Sequence, residues 1–140
     1  MLTPAQFEQA LLAQTAWRAA KSDNIDEILA IAHVLRNRVH RYGKTYSAVC
    51  EECIVNRPEW PAINHPLLIN PNNGVLAAME GIYKNESPDM TSNHLRKNGA
   101  LYFGRAVDHF GTGDWFEEEI LKKPEEHGLI GSFGTQQFYE

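Results

Sequence analysis

The segment from Asn24 to Gly43 constrains the fold most strongly, because it contains the signals of a complete helix with both of its ends. Asn24, followed three places later by Glu27, is typical of a helix N-terminus, and Gly43 is typical of a helix stop. The apolar residues between them recur at helical spacing and share one face. They are Ile28, Ala32, Leu35 and Val39. A helix with one continuous apolar face must bury it, so we predict that this is the central buried helix.

An earlier helix is predicted from the segment Thr3-Pro4-Ala5-Gln6, which has the pattern of a capping box with proline at the first helical position. We expect this helix to end at about Ala20. One face of this helix consists of Phe7, Ala10, Leu11, Gln14 and Arg18. Because this face changes from apolar to polar along the helix, we expect the polar end to face solvent or a cleft.

The remaining sequence predicts more helices, a long loop and a small sheet. The loop from Asn56 to Asn73 is rich in proline and asparagine, and such long loops either line binding sites or cover the core. Residues 100–103 and the tail 129–140 are expected to pair as an antiparallel sheet. The further helices are predicted from Thr45 or Ser47 through Cys53, over 74–85, and over 114–123 before Pro124. We therefore predict an α+β fold, mostly helical, in a single domain over residues 1–140.

Composition excludes several classes of function. The chain has 140 residues, 43% of them hydrophobic, which suits one domain with a core. Its formal net charge is −5 and its basic residues are scattered, so a nucleic-acid partner is not expected. No apolar run is long enough to span a membrane, and the N-terminus lacks the order of a secretory signal. We expect a soluble chain without membrane insertion, and its location is left open.

Cys50 and Cys53 form a Cys-x-x-Cys motif, which can bind zinc or act in redox chemistry. A zinc site normally needs four ligands, and no second pair follows at suitable spacing, with His65 the nearest downstream candidate. A redox motif needs a preceding strand, which this context does not suggest. We interpret both thiols as structural, and we predict no metal and no cofactor.

The other notable side chains have structural interpretations. His33 is interpreted as a partly buried, hydrogen-bonded residue of the central helix. Trp17 and Trp115 are predicted to belong to the core, whereas Trp60 is equally consistent with packing and with a stacking platform in a groove. The acidic run 117–119 is predicted to be a solvated helix face.

Five segments follow one another in a distinctive order: LLAQTAWRAAKSD, ILAIAHVLRNRV, VCEECIVNRPEW, ALYF and FGTQQFY. In this order they resemble the SleB/CwlJ-type cell wall hydrolases, known from spore cortex lysis and from phage genomes, over nearly the whole chain. The resemblance implies a lysozyme-like domain with a small antiparallel β-sheet near the C-terminus. It also implies action on the glycan strands of peptidoglycan, as a lytic transglycosylase or glucosaminidase.

The family signature begins Tyr-Gly-Glu-Ala-Arg-Gly-Glu, and its first glutamate is the catalytic acid. Laid without gaps on this chain, the signature puts that glutamate on Ala19 and the second one on Asp23. Cleavage of a glycosidic bond needs a positioned acid, which typically contributes roughly 10²–10⁴-fold in rate, and a methyl group cannot donate a proton. The candidate substitutes are Asp23, Glu27 and Glu59. The substrate-binding residues implied by the resemblance are Trp17, Asn37, Trp60, Tyr102 and Gln136, the last standing where the family has a histidine.

Three functions stay open at this point. The first is a noncatalytic descendant of the hydrolases that binds peptidoglycan or serves as a structural protein, such as a virion component at the tail or the head-tail region. The second is an active hydrolase with a displaced acid. The third is an unrelated small α+β domain. Several cleft positions depart from the family pattern together, so we favour a hydrolase scaffold retained for binding or assembly.

Overall fold

Helices and a small sheet form an α+β fold in the computed structural model, which describes residues 3–56, 73–92 and 99–140. Its α-helices are α1 (Pro4–Ala19), α2 (Ile25–Tyr42), α3 (Tyr46–Asn56) and α4 (Asn73–Tyr83). Its strands are β1 (Tyr102–Gly104), β2 (Leu129–Phe133) and β3 (Gln136–Tyr139). A short 3-10 turn lies at Ala106–Asp108 and a π-helical segment at Glu117–Leu121. The α+β class and the predicted order of the helices are confirmed.

Helix α2 is the centre of the fold, as predicted. The backbone N–H of Glu27 donates to the side-chain oxygen of Asn24 at 3.2 Å, and Gly43 ends the helix in the left-handed conformation with φ 63°. Ile28, Ala32 and Leu35 are at most 1% exposed. The helix contacts α1, α3, α4, β1 and β2. The local capping signals and the apolar face therefore agree with the position of this helix in the core.

Helix α1 begins with the predicted capping box, in which Thr3 and Gln6 exchange hydrogen bonds of 3.1 and 2.9 Å. The face that carries Phe7 is not the buried one, because Phe7 is 53% exposed, and Gln14 nearer its polar end is exposed as expected. Small residues bring α1 close to α2 and α3, and the hydroxyl of Thr15 is satisfied by donating to the carbonyl of Leu11 at 2.7 Å. The residues buried instead are Leu12, Ala13, Thr15, Ala16, Trp17 and Ala19.

The sheet has the order β1-β3-β2, with both pairs antiparallel. The tail therefore forms a hairpin whose second strand pairs with the segment predicted at residues 100–103, as expected. The structure places that strand slightly later, at Tyr102–Gly104. Phe138 of β3 is fully buried between Phe103 and Phe133, with ring centroids 6.0 and 5.3 Å away. These rings attach the sheet to the helical core.

The segment before β2 departs from the prediction of a regular helix with a solvated acidic face. Trp115 is 56% exposed, so its assignment to the core is wrong. Glu117 is only 6% exposed, so its assignment to a solvated face is also wrong. Its carboxylate accepts hydrogen bonds from the backbone N–H groups of Gly111 and Gly113, the second at 2.9 Å. The glycine-containing turn folds back over Glu117 and leaves Trp115 on the outside.

A buried polar cluster attaches the segment after α4 to helix α2. The side-chain amide of Asn37 donates to Asp89 at 2.8 Å and to the carbonyl of Ala100 at 3.0 Å. The other oxygen of Asp89 accepts from the N–H and the hydroxyl of Thr91 at 2.8 and 2.7 Å. His33 is buried 3.8 Å from Asp89, and its Nδ1 has no hydrogen-bond partner within the described part of the chain. The prediction of a hydrogen-bonded His33 is thus wrong for this atom.

Some predictions fall on residues that the structure does not describe. The long loop predicted between Asn56 and Asn73 lies almost entirely outside the described residues, and so do Glu59, Trp60 and His65. Within the ranges described, no helix has both the length and the apolar character that crossing a membrane requires.

Candidate functional site

A groove of about 780 Å³ lies between the helices and the C-terminal segment. Helices α2 and α3 contribute one wall, with Arg38, Tyr42, Glu52 and Cys53 among its residues. Strand β1 and the segment that follows it, residues 102–116, contribute the opposite wall. The end of α1 and the start of β3 also reach the groove, so four separate parts of the chain meet there.

The floor of the groove contains Ala19 and Gln136, which are only 1% exposed. The side-chain amide of Gln136 donates to the carbonyl of Ala19 at 3.0 Å, and so joins the end of α1 to strand β3. Ala19 is the position on which the resemblance puts the catalytic glutamate. At this position the chain presents a methyl group, which has no proton to transfer.

Glu27 is fully buried behind this floor, where it joins the α1–α2 turn to the β2–β3 turn. One carboxylate oxygen accepts from the N–H and hydroxyl of Thr135 at 2.6 and 2.7 Å. The other accepts from the N–H of Lys21 at 2.6 Å, from the N–H of Ser22 at 3.2 Å and from the amide of Gln136 at 3.3 Å. These contacts occupy both oxygens and favour a structural role for Glu27.

The protonation state of Glu27 follows from the same contacts. Burial favours the neutral acid, but hydrogen bonds from Thr135, Lys21 and Gln136 outweigh burial, so the pKa of Glu27 is lowered. A general acid for glycoside cleavage needs a raised pKa so that it carries a proton near neutral pH. Glu27 therefore has neither the position nor the protonation state of a proton donor to the groove.

Exposed aromatic rings line both walls of the groove. Trp115 and Tyr42 are 56% and 49% exposed, and both line it together with Tyr102. The rings of Tyr102 and Trp115 have centroids 6.1 Å apart, and His127 packs edge-on against Tyr102 at 5.0 Å. Arg38 approaches the Tyr102 ring at 5.9 Å and donates to the carbonyl of Leu101 at 2.8 Å. Fixed rings of this kind form platforms for flat or weakly polar ligand faces.

The charged residues of the groove are arranged mainly in pairs. Lys44 binds Glu52 at 3.0 Å, and Arg105 lies 3.8 Å from Asp108. Lys21 and Arg38 add further positive charge to the lining. Among the described residues, the lining thus has four basic and three acidic side chains in a chain whose formal net charge is −5. Its positive groups suit a ligand that carries some carboxylate.

A third pair consists of His109 and Asp114. Nδ1 of His109 lies 2.6 Å from one carboxylate oxygen of Asp114, and the imidazole packs against the ring of Phe116 at 4.6 Å. The other oxygen of Asp114 accepts from the N–H of Glu117 at 2.8 Å. Hydrogen bonds from the Glu117 backbone and from His109 lower the pKa of Asp114, so this carboxylate is ionised at neutral pH.

The structure brings some of the sequence-predicted site residues into the groove and leaves others outside it. Tyr102 and Gln136 line it. Among the described residues, Asp23, Trp17 and Asn37 are not in its lining: Asp23 is exposed elsewhere, Trp17 is buried and Asn37 binds Asp89. Glu59 and Trp60 lie outside the described residues.

Sequence reasoning missed Arg38, His109, Asp114 and the exposed position of Trp115. One signal was available, because Asp114 followed by Glu117 has the spacing of a helix N-cap. That spacing places Asp114 at the start of a helical turn, where its carboxylate accepts a backbone N–H. The contact with His109 depends on the shape of the intervening turn and has no periodic signal.

The thiols of Cys50 and Cys53 are buried on α3 and form no disulfide. Burial raises the pKa of Cys50 to about 12, and Cys53 accepts a hydrogen bond from Arg38 at 3.1 Å. Within the described ranges, no group of three or more histidine, cysteine or acidic side chains is arranged to hold a metal ion. The chain matches no family model, no curated protein and no solved structure.

Proposed function

We propose that this chain is a SleB-like cell wall hydrolase domain that has lost its proton donor and binds the glycan strands of peptidoglycan, as a binding module or as a structural component of a virion. The observation that carries the proposal is the pairing of Ala19 on the groove floor with exposed aromatic rings on the groove wall. A ligand platform is present where the resemblance expects catalysis, and the acid is replaced by a methyl group.

The described carboxylates support loss of glycosidic cleavage. Glu27 is sequestered by hydrogen bonds, and Asp23 lies outside the groove lining. The carboxylates in the lining, Glu52, Asp108 and Asp114, each have a basic or imidazole partner within 4 Å. A displacement of about 1 Å in a catalytic group can cost roughly 100-fold in rate, so these acids are poor substitutes for one at position 19.

The lining also supports binding of a sugar chain with attached carboxylates. Trp115 and Tyr102 can stack against the apolar faces of sugar rings, as aromatic platforms do. Lys44 and Arg105 lie in the same groove and can attract the carboxylates of the peptide-bearing sugar. Because both cations already have acidic partners, we expect the aromatic contacts to contribute most of the affinity.

The test is co-sedimentation with purified cell wall sacculi at increasing protein concentration. The protein should pellet with the sacculi, and Trp115→Ala should weaken binding about tenfold, because removal of a stacked ring costs about 1.4 kcal/mol. Phe7→Ala is a matched control, because Phe7 is equally exposed at 53% but does not line the groove.

Absence of binding by the unmodified protein would contradict the glycan-binding proposal. If Trp115→Ala and Phe7→Ala weaken binding equally, the groove is not the glycan-binding site. A structural role in a virion has a separate test, which is whether mass spectrometry detects the chain in purified virions.

A further inference from the structure

The pair formed by His109 and Asp114 has no role in the glycan-binding proposal, yet it has the geometry of a proton-transfer site. Both residues line the groove, and the His109 side chain is 25% exposed. Nδ1 lies 2.6 Å from the Asp114 carboxylate. An ionised carboxylate can only accept hydrogen bonds, so the proton of the neutral imidazole must lie on Nδ1. Nε2 is then left with a lone pair.

The surrounding turn holds this geometry in place. Asp114 cannot rotate freely, because its second oxygen accepts the N–H of Glu117 at 2.8 Å. Glu117 in turn accepts the N–H groups of Gly111 and Gly113, on the turn that connects His109 to Asp114. Phe116 packs against the imidazole ring at 4.6 Å. A polar pair supported from several sides is the arrangement that orients histidine as a base in enzymes.

We propose that His109, oriented by Asp114, is the base of an acyl-ester hydrolysis site in the groove. A glycosidic bond requires an acid before it can break, whereas an ester carbonyl can be attacked by water that a single base activates. The site therefore suits an ester rather than a glycoside. The alcohol part of the ester would be a sugar held by Trp115 and Tyr102, and this part of the proposal rests on the proposed function.

The reaction balances with water as the only co-reactant. Nε2 of His109 removes a proton from water while the water oxygen bonds to the acyl carbon. The ester C–O bond then breaks, and the imidazolium returns the proton to the departing alcohol oxygen, which gives a carboxylic acid and an alcohol. The positive charge of Arg38 in the groove lining favours the developing oxyanion, whereas Lys44 and Arg105 are already paired with Glu52 and Asp108. Asp114 is a positioning residue that acts through His109.

The chain offers a matched control in His127. This histidine also packs against an aromatic ring, Tyr102, at 5.0 Å, but its Nδ1 lies 2.9 Å from the backbone carbonyl of Glu140. It therefore has a neutral partner in place of a carboxylate, and it is not in the groove lining. The proposal requires esterase activity to depend on His109 and not on His127.

The experiment measures hydrolysis of p-nitrophenyl acetate by the full chain, which requires no glycan and so separates this proposal from the binding proposal. His109→Ala should lower the second-order rate constant by about 100-fold, in the range of general-base catalysis. His127→Ala should leave it unchanged. Hydrolysis no faster than by free imidazole, or equal rates for the His109 and His127 variants, would overturn the proposal.

A second measurement starts from the unmodified protein, so it can be made even if a variant fails to fold. Imidazole nitrogen NMR of the unmodified protein should show His109 protonated at Nδ1 and unprotonated at Nε2 when neutral. Asp114→Asn, which keeps a good N-cap residue, should reduce hydrolysis and change this tautomer preference. A His109 that carries its proton on Nε2 in the unmodified protein would contradict the proposed orientation.

Discussion

Replacement of Glu27 by glutamine tests how the two turns beneath the groove are joined. The carboxylate accepts short hydrogen bonds from the N–H of Lys21 at one oxygen and from the N–H of Thr135 at the other, both at 2.6 Å. Glutamine retains only one acceptor oxygen, and its NH₂ group must face donors on the other side. At least one backbone N–H of this partly buried network therefore loses its partner.

The expected cost follows from these contacts. An unsatisfied buried donor costs about 1–3 kcal/mol, and loss of the charge weakens the remaining hydrogen bonds. We expect Glu27→Gln to lower the free energy of unfolding by about 3 kcal/mol, which lowers the Tm of a chain of this length by about 10 °C. Thermal unfolding followed by circular dichroism measures the change.

Glu118→Gln is the control for this substitution. Glu118 is exposed and pairs with Lys122 at 2.8 Å, so its replacement should change stability by less than about 0.5 kcal/mol. If Glu27→Gln and Glu118→Gln unfold at the same temperature, the reasoning that Glu27 is a structural anchor is refuted.

Further predictions concern the turn, the thiols and pH. Gly134→Ala should lower the Tm, because Gly134 has φ 62° and a Cβ there would lie 2.6 Å from a Glu27 oxygen; an unchanged Tm would contradict this packing. Cys50 should resist iodoacetamide until the protein unfolds, because burial raises its pKa to about 12; mass spectrometry that finds rapid native alkylation would contradict its burial. Burial lowers the pKa of His33 from 6.5 to about 4, so the unfolded state binds more protons over this interval and the free energy of unfolding should fall as pH decreases through it. The lowered pKa of Glu27 adds stability that is present above pH 4.5 and is lost as the pH falls through the pKa of Glu27 in the folded state. Urea titrations in which the free energy of unfolding does not fall at acidic pH would contradict the assignments of His33 and Glu27.

The parts of the fold that were predictable depend on contacts close in sequence. The caps of α2 at Asn24 and Gly43 involve residues within one helical turn, and the capping box of α1 does as well. The buried face of α1 was not predicted, because side-chain size decides the packing: α1 packs closely through alanines, which leaves the bulky Phe7 outside. Periodicity alone does not encode that choice.

The site was less predictable because its geometry depends on distant contacts. The resemblance led to Tyr102 and Gln136, which line the groove, and to Asn37, which instead binds Asp89. Glu27 was considered as an acid because it follows Ala19 closely in sequence. Its actual environment is set by Thr135, more than one hundred positions away, whose contact no local pattern contains.

We propose that the groove binds glycan strands but lacks the acid that would cleave them. Incubation of the full chain with purified sacculi, followed by mass spectrometry of the soluble fraction, tests it directly. We predict that the protein pellets with the sacculi and releases no soluble muropeptides, both as it stands and after Asp23→Asn or Glu59→Gln. Release of muropeptides by the unmodified protein that disappears in either variant would show that a displaced acid performs the reaction, and would contradict the proposed loss of cleavage.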